Sequence, residues 1–353
     1  METPRRALVN IAILASLIAT GCSAGSASAP ISPAPTSTAP LSDGPRSPIA
    51  WVGPTPPPSA GPTLPASVDI ASAGGKAVAG LPSVDWLVAG GGAIWATGDA
   101  GIEQIDPSGH RLRTIAIAGE PCGAMDFGFD AVWTTRCSVS GIARINPLDA
   151  SVTLGAVDVQ IPDSETSIAA GEGAVWLVGG TGSDTLVKID PRTLKTIATF
   201  PVPPGSVAAR AGLHGVWIVN PLAGTLERVD PATGMTVATI PVGRSARFLT
   251  VGEGGVWVMN QTDGTVVHVD PVANAVVATI AVGSPIDGGD IAAGGGAVWV
   301  RGTSSLVARI DPAVDRVTVV YGPPSGSGSV AVGEGAVWIS AHDVPVTWRL
   351  PMP

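Results

Sequence analysis

The chain has 353 residues, of which 13% are charged, and a formal net charge of -9. This composition argues against a nucleic-acid-binding protein, because such proteins bind phosphates with clustered Lys and Arg. It also provides no polybasic patch for anionic lipid. Gly (46) and Pro (33) are abundant, as an all-β protein with many turns requires.

The N-terminus predicts an export signal over residues 1–21. Two arginines precede an apolar stretch at 7–20 that is too short to span a bilayer comfortably. Small residues directly before Cys22 resemble a bacterial lipobox, in which the cysteine carries lipid, although Ala19 replaces the usual Leu. An ordinary secretory signal with a chance cysteine is the alternative. Both interpretations predict export, and the first predicts a lipid anchor on the outer side of the bacterial cell membrane.

Residues 22–65 predict a stalk. They are mainly Pro, Ser, Thr, Ala and Gly with almost no charge, so they cannot bury enough apolar surface to offset the entropy lost on ordering. The proline content favours an extended chain of about 3.1 Å per residue, which would reach on the order of 100 Å. We expect this segment to be disordered.

Seven tryptophans recur through the rest of the chain at intervals of 38 to 43 residues. They are Trp95, Trp133, Trp176, Trp217, Trp257, Trp299 and Trp338. A period of about 40 residues built from short strands is typical of a β-propeller. We therefore predict an all-β domain over residues 66–353, namely a seven-bladed β-propeller of four-stranded antiparallel blades. One tryptophan per blade is then expected in the core between blades.

The fifth repeat shows the strands of one blade most clearly. Apolar runs at 248–251, 255–260, 265–269 and 276–282 are separated by short turns, as in a four-stranded meander. An Asp-Pro or Asn-Pro pair follows the third strand in six repeats, at positions 106, 146, 190, 230, 270 and 311. Such pairs favour a turn, because the Asx side chain bonds the backbone and Pro fixes φ. We assign these acids no catalytic role.

Gly-Glu-Gly sequences surround Glu172, Glu253 and Glu334. We interpret them as hairpin turns and not as phosphate loops, since no helical period follows them. The seventh repeat ends after its third strand, whereas a strand-like segment at 66–79 precedes the first repeat. We expect this segment to be the outer strand of blade 7, which would close the ring and remove exposed edges.

The unit Gly-Glu-Gly-Ala-Val-Trp, followed by Val-x-x-Ile/Val-Asp-Pro and Thr-Ile-Pro-Val-Gly, resembles the YVTN and virginiamycin B lyase-like β-propeller repeats. The resemblance covers about residues 66–353 and implies the propeller fold. Antibiotic lyases of this family look metal-dependent, with His and Glu side chains at the channel mouth. Of the four histidines here, His342 alone falls in a loop at that end, so the lyase site does not transfer residue by residue.

Polar residues are frequent in the loops opposite the hairpin and Asp-Pro turns. They include Asp85, Asp99, Asp126, Arg136, Glu165, Asn220, Arg244, Arg247, Asn260, Asp287, Asp290, Arg301 and His342. Because a propeller's channel opens among these loops, we predict that a ligand contacts Glu165, Arg244, Arg247, Asp287, Asp290, Arg301 and His342. Carboxylates in this set could hold Ca²⁺ or Mg²⁺, although no His-x-x-x-His or Cys-x-x-Cys motif occurs. A solvated loop rim is the alternative interpretation.

Cys122 and Cys137 are predicted to form a disulfide. Counting outward from a two-residue turn at Phe129-Asp130 places the two cysteines opposite each other, where Cβ atoms are about 4.5–5.5 Å apart. Export supplies an oxidising compartment. Closing a loop of about 15 residues contributes roughly 3 kcal/mol in the chain-entropy model. Two buried thiols or a soft-metal pair are the alternatives.

Three functions remain open from the sequence. The first is a membrane-anchored lipoprotein, expected to be monomeric, that binds a small polar ligand or an envelope protein through the loop face. The second is a metal-dependent lyase or lactonase-type enzyme at the channel mouth, for which His342 is the one histidine placed to transfer a proton. The third is a structural scaffold of the cell envelope.

Overall fold

The structure covers most of the predicted domain. The computed structural model describes residues 63–352 except 82, 99, 163–167, 284–285 and 343. The predicted export signal, nearly all of the predicted stalk, Cys22, Asp99 and Glu165 lie outside the described residues. The described part of the chain forms 29 β-strands and one 3-10 helix, Cys137–Val139.

The strands are short and follow one another closely. Those of the first half are β1 (Ser67–Asp69), β2 (Lys76–Val78), β3 (Leu87–Gly90), β4 (Ala93–Gly98), β5 (Gly101–Ile105), β6 (Arg111–Ile115), β7 (Cys122–Gly128), β8 (Ala131–Arg136), β9 (Gly141–Ile145), β10 (Val152–Ala156), β11 (Ile168–Gly171), β12 (Ala174–Gly179), β13 (Thr185–Ile189) and β14 (Thr196–Pro201). Those of the second half are β15 (Ala208–Gly212), β16 (Gly215–Asn220), β17 (Thr225–Val229), β18 (Thr236–Pro241), β19 (Ala246–Gly252), β20 (Gly255–Asn260), β21 (Thr265–Asp270), β22 (Ala275–Ala281), β23 (Asp290–Gly294), β24 (Ala297–Arg301), β25 (Val307–Asp311), β26 (Arg316–Gly322), β27 (Val330–Gly333), β28 (Ala336–Ala341) and β29 (Val346–Pro351).

The strands form seven sheets, which are the blades of a propeller. Strands β3–β6, β7–β10, β11–β14, β15–β18, β19–β22 and β23–β26 form blades 1 to 6 in order, and β27–β29 belong to blade 7. Consecutive strands within a blade pair antiparallel. The first strand of each blade packs beside the first strand of the next, with β27 returning to β3. The seven first strands therefore surround a central channel, and the predicted seven-bladed propeller is confirmed.

The segment before blade 1 closes the ring. As predicted, it supplies the outer strand of blade 7, because β2 pairs antiparallel with β29 and Ala77 lies opposite Trp348. It also does something the sequence did not indicate. Strand β1 pairs parallel with β26, with Val68 opposite Tyr321, and adds a fifth strand to blade 6. One short segment thus joins two neighbouring blades.

The repeated tryptophans are core residues, as expected. All seven are fully buried. Each indole Nε1 donates to the carbonyl oxygen of the glycine five positions earlier, across the first hairpin of its blade, at 2.9–3.3 Å. The glycine also allows close packing, since a Cβ on Gly128 would lie 2.6 Å from the carbonyl oxygen of Ala170 in the next blade. Trp recurs at this position because its large ring fills the core while its N–H still has a hydrogen-bond partner.

The first hairpins turn through two residues with positive φ. In blade 2 these are Phe129 and Asp130, both with φ of 53°, which is the type I′ geometry that matches the twist of a hairpin. The Gly-Glu-Gly sequences are such turns, as predicted. Their carboxylates also accept from backbone N–H groups of the following blade: Glu172 from His214 at 3.0 Å, Glu253 from Gly296 at 3.1 Å and Glu334 from Gly92 at 3.0 Å.

The Asp-Pro turns are held by their own side chains, as predicted. The Oδ1 atoms of Asn146, Asp190, Asp230, Asp270 and Asp311 each accept from the backbone N–H two residues later, at 2.7–2.9 Å. Asp106 accepts from the N–H of Ser108 at 2.8 Å and from that of His110 at 2.9 Å. Hydrogen bonds from Ser108 and His110 lower the pKa of Asp106 from 3.8 to about 2.

The Cys122–Cys137 disulfide is present, with 5.9 Å between the Cα atoms. The register that led to the prediction is wrong, because Cys122 lies opposite Thr135 and a bulge separates it from Asp126. Cys137 follows β8 and begins the 3-10 helix. The irregular backbone on both strands brings the sulfur atoms together without direct cross-strand pairing.

Candidate binding site at the channel mouth

Two aromatic side chains meet at the loop end of the channel. Trp86 precedes β3 in blade 1 and Phe248 lies on β19 in blade 5, and their ring centroids are 5.7 Å apart in an edge-to-face arrangement. Blades 1 and 5 are not neighbours in the ring, so the contact spans the channel. The pair lines a cavity among the loops, and a second cavity lies among the inner strands.

The cavity among the loops has a volume of about 210 Å³. Its side-chain walls are Trp86, Phe248, Asp85, Ser327 and His342, and glycines 288, 289 and 328 form the rest. The glycines keep the mouth open, since a Cβ at position 288 would meet the Ser327 hydroxyl. We define the channel mouth as this cavity and its lining residues.

Hydrogen bonds between loops fix the shape of the channel mouth. The Ser327 hydroxyl accepts from the N–H of Gly289 at 2.8 Å, and its carbonyl oxygen accepts from the N–H of His342 at 3.0 Å. Gln261 of blade 5 donates to the carbonyl oxygen of Gly288 at 3.0 Å. Loops of blades 5, 6 and 7 are therefore connected, and the mouth is preformed.

His342 and Asp85 are the titratable groups in the wall of the mouth. His342 Nδ1 lies 3.9 Å from Asp85 Oδ1, and the two side chains are 40% and 66% exposed. At this distance and exposure the pair is a weak ion pair that exists only when His342 is protonated. The two groups can donate to and accept from a ligand at the surface.

Three charged side chains line the second cavity. Asp126 and Asp290, on β7 and β23, and Arg210, on β15, all face this space of about 190 Å³. Asp126 Oδ2 accepts from the N–H of Ala170 at 2.7 Å. Burial raises the pKa of both carboxyl groups above 3.8, whereas the charge of Arg210 acts in the opposite direction on each. We call this cavity and its lining the inner channel.

The predicted ligand-contacting residues do not all lie in one place. His342 lines the channel mouth. Asp287 and Arg247 directly precede Gly288 and Phe248 of the mouth, Asp287 being exposed and Arg247 half-buried. Arg244 is exposed in the loop that leads into β19, the strand that carries Arg247. The structure thus groups three predicted residues around the mouth beside His342.

Asp290 and Arg301 are placed differently from the prediction. Asp290 is 5% exposed and lines the inner channel instead of the rim. Arg301 is fully buried, and its guanidinium donates to the carbonyl oxygens of Ser340 at 3.0 Å and Ser325 at 3.2 Å, and also to that of Gly302. Arg301 therefore holds loops of blades 6 and 7 together, and it is not exposed for contact with a ligand.

Two asparagines of the loop set are also structural. Asn220 is buried and donates to the carbonyl oxygen of Pro204 at 2.9 Å. Asn260 is buried and donates to that of Val242 at 2.7 Å. Each asparagine thereby fixes the loop that leads into the first strand of its own blade. They were named among the polar loop residues but not among the predicted ligand contacts, and their burial agrees with a structural role.

The sequence reasoning missed Trp86, Phe248 and Arg210. Trp86 lies nine positions before Trp95 and outside the 40-residue register, which was a signal that could have identified it. Arg210 interrupts an otherwise small and apolar inner strand, Ala208–Gly212. Phe248 was included only as part of an apolar strand. Contact between side chains of opposite blades cannot be read from a repeat pattern.

The residues present do not form a metal site in the part of the chain that the structure describes. No three His, Cys, Asp or Glu side chains lie close enough together there to hold a metal ion. His342 and Asp85 provide two such groups at the mouth, 3.9 Å apart. The His-and-Glu arrangement implied by the lyase resemblance is therefore not reproduced among these residues.

No family model and no curated protein matches this chain. Solved structures do match its fold. A streptogramin B lyase structure aligns with a TM-score of 0.65 and 14% identity, covering 79% of this chain and 97% of the other. BamB from Moraxella catarrhalis aligns with a TM-score of 0.54 and 14% identity, covering 78% and 85%. The RRP9 WD40 repeats align with a TM-score of 0.66 and 13% identity, covering 82% and 99%.

These similarities define the class of protein. The chain is a seven-bladed β-propeller with the fold of the virginiamycin (streptogramin) B lyase-like propellers. At 12–14% identity they show the fold alone. No helix in the described residues is long and apolar enough to span a membrane.

Proposed function

We propose that this chain is an exported, lipid-anchored β-propeller that binds a protein partner through its loop face, with the channel mouth receiving a side chain of the partner. The observation that carries the proposal is the Trp86–Phe248 pair at the base of a preformed, open mouth. Aromatic residues packed in a concave centre and surrounded by polar residues are typical of energetic centres in protein interfaces.

The volume of the mouth favours a protein side chain over a drug-sized small molecule as its ligand. Pockets that enclose drug-sized ligands have volumes of about 300–1,000 Å³. The mouth has about 210 Å³ and is open to solvent, which suits one inserted side chain. The exposed Arg244, Asp85 and Asp287 around it carry both signs of charge, so they would select a partner with a complementary polar rim.

Export is supported by two separate features. The first is the sequence before Cys22, with its arginines, its apolar stretch and its small residues. The second is the Cys122–Cys137 disulfide, because disulfides persist in oxidising compartments and are rare in the bacterial cytosol. A lipid on Cys22 would hold the propeller at the outer side of the membrane, on the predicted stalk.

Site-specific photo-cross-linking in cells tests the binding face. A photoreactive phenylalanine analogue replaces Asp287 at the mouth, or Asp130, which is exposed in a hairpin turn at the opposite end. We expect a discrete cross-linked species from position 287 that is weakened by Trp86→Ala and absent from position 130. Equal cross-linking from both positions, or none from position 287, would contradict the proposal.

We do not extend the proposal to catalysis. A metal-dependent lyase or lactonase needs a metal held by convergent His and carboxylate groups. The described residues offer His342 and Asp85 alone at the mouth, 3.9 Å apart. The envelope-scaffold interpretation gains no specific support from the geometry.

A further inference from the structure

The inner channel has a charge pattern that differs from the rest of the propeller core. Its walls are mainly Ala, Val, Leu and Ile of the inner strands. Within this lining, Asp126, Arg210 and Asp290 come from blades 2, 4 and 6. Three charges from three separate blades therefore converge on one space of about 190 Å³.

Arg210 supplies the positive end of this space. Among the described residues, its side chain donates from Nη1 to the carbonyl oxygen of Ala209, its own neighbour, at 3.0 Å. A guanidinium has five N–H donors in a planar fork, and this fork matches a carboxylate. Arg210 also attracts both Asp126 and Asp290 across the channel. In the part of the chain that the structure describes, most of its N–H donors are thus available to an anionic group that enters the channel.

The two aspartates supply the negative end. Asp126 accepts from the backbone N–H groups of Phe127 at 2.9 Å and Ala170 at 2.7 Å. Asp290 accepts from the Ser329 hydroxyl at 2.5 Å and from the N–H of Ile291 at 2.8 Å, with a longer bond from Val330 at 3.3 Å. A carboxylate has about four acceptor positions, so each keeps capacity toward the channel. These bonds also fix both side chains in place.

Two carboxyl groups and one guanidinium line this cavity. Two carboxylates face one guanidinium, and burial raises the pKa of both carboxyl groups despite Arg210. Desolvation disfavours the ionised carboxylates, and a positive charge placed beside them would favour that form. A lone cation would meet Arg210, and a lone anion would meet both aspartates. A molecule with one charge of each sign satisfies all three side chains.

We propose that the inner channel binds a small zwitterion, with its carboxylate on Arg210 and its ammonium group between Asp126 and Asp290. The volume limits the ligand to the size of a small amino acid. The lining of this cavity does not include Trp86 or Phe248, which line the channel mouth. This site is separate from the channel mouth and does not depend on the function proposed above.

Titration calorimetry on the full chain in detergent tests the proposal. The probes are glycine, L-alanine and β-alanine as zwitterions, propionate as the anion alone and propylamine as the cation alone. We expect at least one zwitterion to bind at one site, and propionate and propylamine to bind about tenfold more weakly or not at all. Absence of binding by every zwitterion, or equal binding of propionate, would overturn the proposal.

Variants locate the binding. Arg210→Gln should weaken zwitterion binding by about tenfold or more, because the bidentate carboxylate contact is lost. Arg316→Gln is the matched control, since Arg316 is exposed on β26, and its affinity should equal that of the unchanged chain. If Arg210→Gln fails to fold, Arg210→Lys replaces it. Unchanged affinity in the folded Arg210 variant would overturn the proposal.

The two proposals fail separately. Loss of zwitterion binding in the inner channel says nothing about cross-links from position 287 at the mouth, and missing cross-links leave the calorimetry unaffected. Calorimetry reports the inner channel, and cross-linking reports the loop face. Each result therefore decides one proposal.

Discussion

In five blades, a polar side chain joins the buried tryptophan to the next blade. This side chain is on the third strand, directly opposite the tryptophan. Where it is Lys or Arg, its charged group lies over the indole: Lys188 Nζ is 5.1 Å from the ring centre of Trp176, and Arg228 Cζ is 5.2 Å from that of Trp217. The same side chains donate to the proline carbonyl of the next Asp-Pro turn: Gln104 to Pro147, Arg144 to Pro191, Lys188 to Pro231, Arg228 to Pro271 and Arg349 to Pro107. The last of these closes the ring from blade 7 to blade 1.

Arg228 tests this link. It donates to Pro271 at 2.7 Å and to Asn274 at 2.9 Å, so Arg228→Met should leave buried acceptors unpaired and lower the free energy of unfolding by about 1–3 kcal/mol. Urea unfolding followed by tryptophan fluorescence measures this. Arg316→Met, at an exposed position, is the control and should change stability little. Equal effects of both changes would show that the link adds no stability.

The lowered pKa of Asp106 predicts how the stability of the folded chain changes at acid pH. Hydrogen bonds lower its pKa from 3.8 to about 2 in the folded chain, so it contributes stability that is present above about pH 4 and is lost as the pH falls through about 2. Asp126 and Asp290 act in the opposite sense, because burial raises their pKa. Comparing a variant with the unchanged chain therefore isolates Asp106.

Urea unfolding at several pH values measures the Asp106 contribution. Asp106→Asn keeps a side-chain acceptor in the turn but cannot ionise. We expect the stability difference between the unchanged chain and this variant to shrink as the pH falls from about 4 to about 2. A difference that stays constant over this range would contradict the lowered pKa.

At the scale of elements, the segment before blade 1 has the largest expected effect. It provides β1 to blade 6 and β2 to blade 7, and Ile70 between these strands is fully buried in the core. A chain that begins at residue 83 lacks both strands and exposes two sheet edges, which favours aggregation. A chain that begins at residue 63 keeps both. We expect the shorter variant to unfold at lower urea concentration and to aggregate, and equal behaviour of the two would contradict the role of the segment.

The elements differ in how far the sequence predicts them. The tryptophan period, the Asp-Pro turns and the Gly-Glu-Gly hairpins are local patterns, and each was read correctly because turn geometry depends on neighbouring residues. The parallel pairing of β1 with β26 joins residues about 250 positions apart in the chain and leaves no local pattern. The bulge beside Cys122 shifted the register, and Gly123, with φ of 75°, was the local signal of it that the prediction did not use.

The candidate site was predictable only in outline. Position in the repeat indicated the loop end for His342, Arg244, Arg247 and Asp287, which lie in or beside the channel mouth, and their contact with a ligand stays a prediction. Position in the repeat could not distinguish them from Arg301, because burial depends on how loops of adjacent blades pack. Likewise, Trp86 and Phe248 meet across the channel, and a contact between non-neighbouring blades follows from the closed ring and not from any one repeat.

At the scale of the whole molecule, membrane attachment depends on Cys22. If this residue carries lipid, the full chain should sediment with membranes, and Cys22→Ala should yield soluble or unprocessed protein. Fractionation of cells followed by mass spectrometry of the mature N-terminus measures both outcomes. Ser23→Ala is a control that keeps the cysteine. Unchanged membrane association of a correctly cleaved Cys22→Ala chain would show that the anchor lies elsewhere.

Chemical footprinting of histidines tests the central claim that the loop face is occupied by a partner. His342 lies at the channel mouth and is 40% exposed, whereas His110, with 82% exposure, lies at the opposite end. Both can react with diethyl pyrocarbonate in the purified chain. We predict that in intact cell membranes His342 is protected while His110 reacts as in the purified chain. Equal reactivity of His342 in both preparations would contradict binding through the loop face.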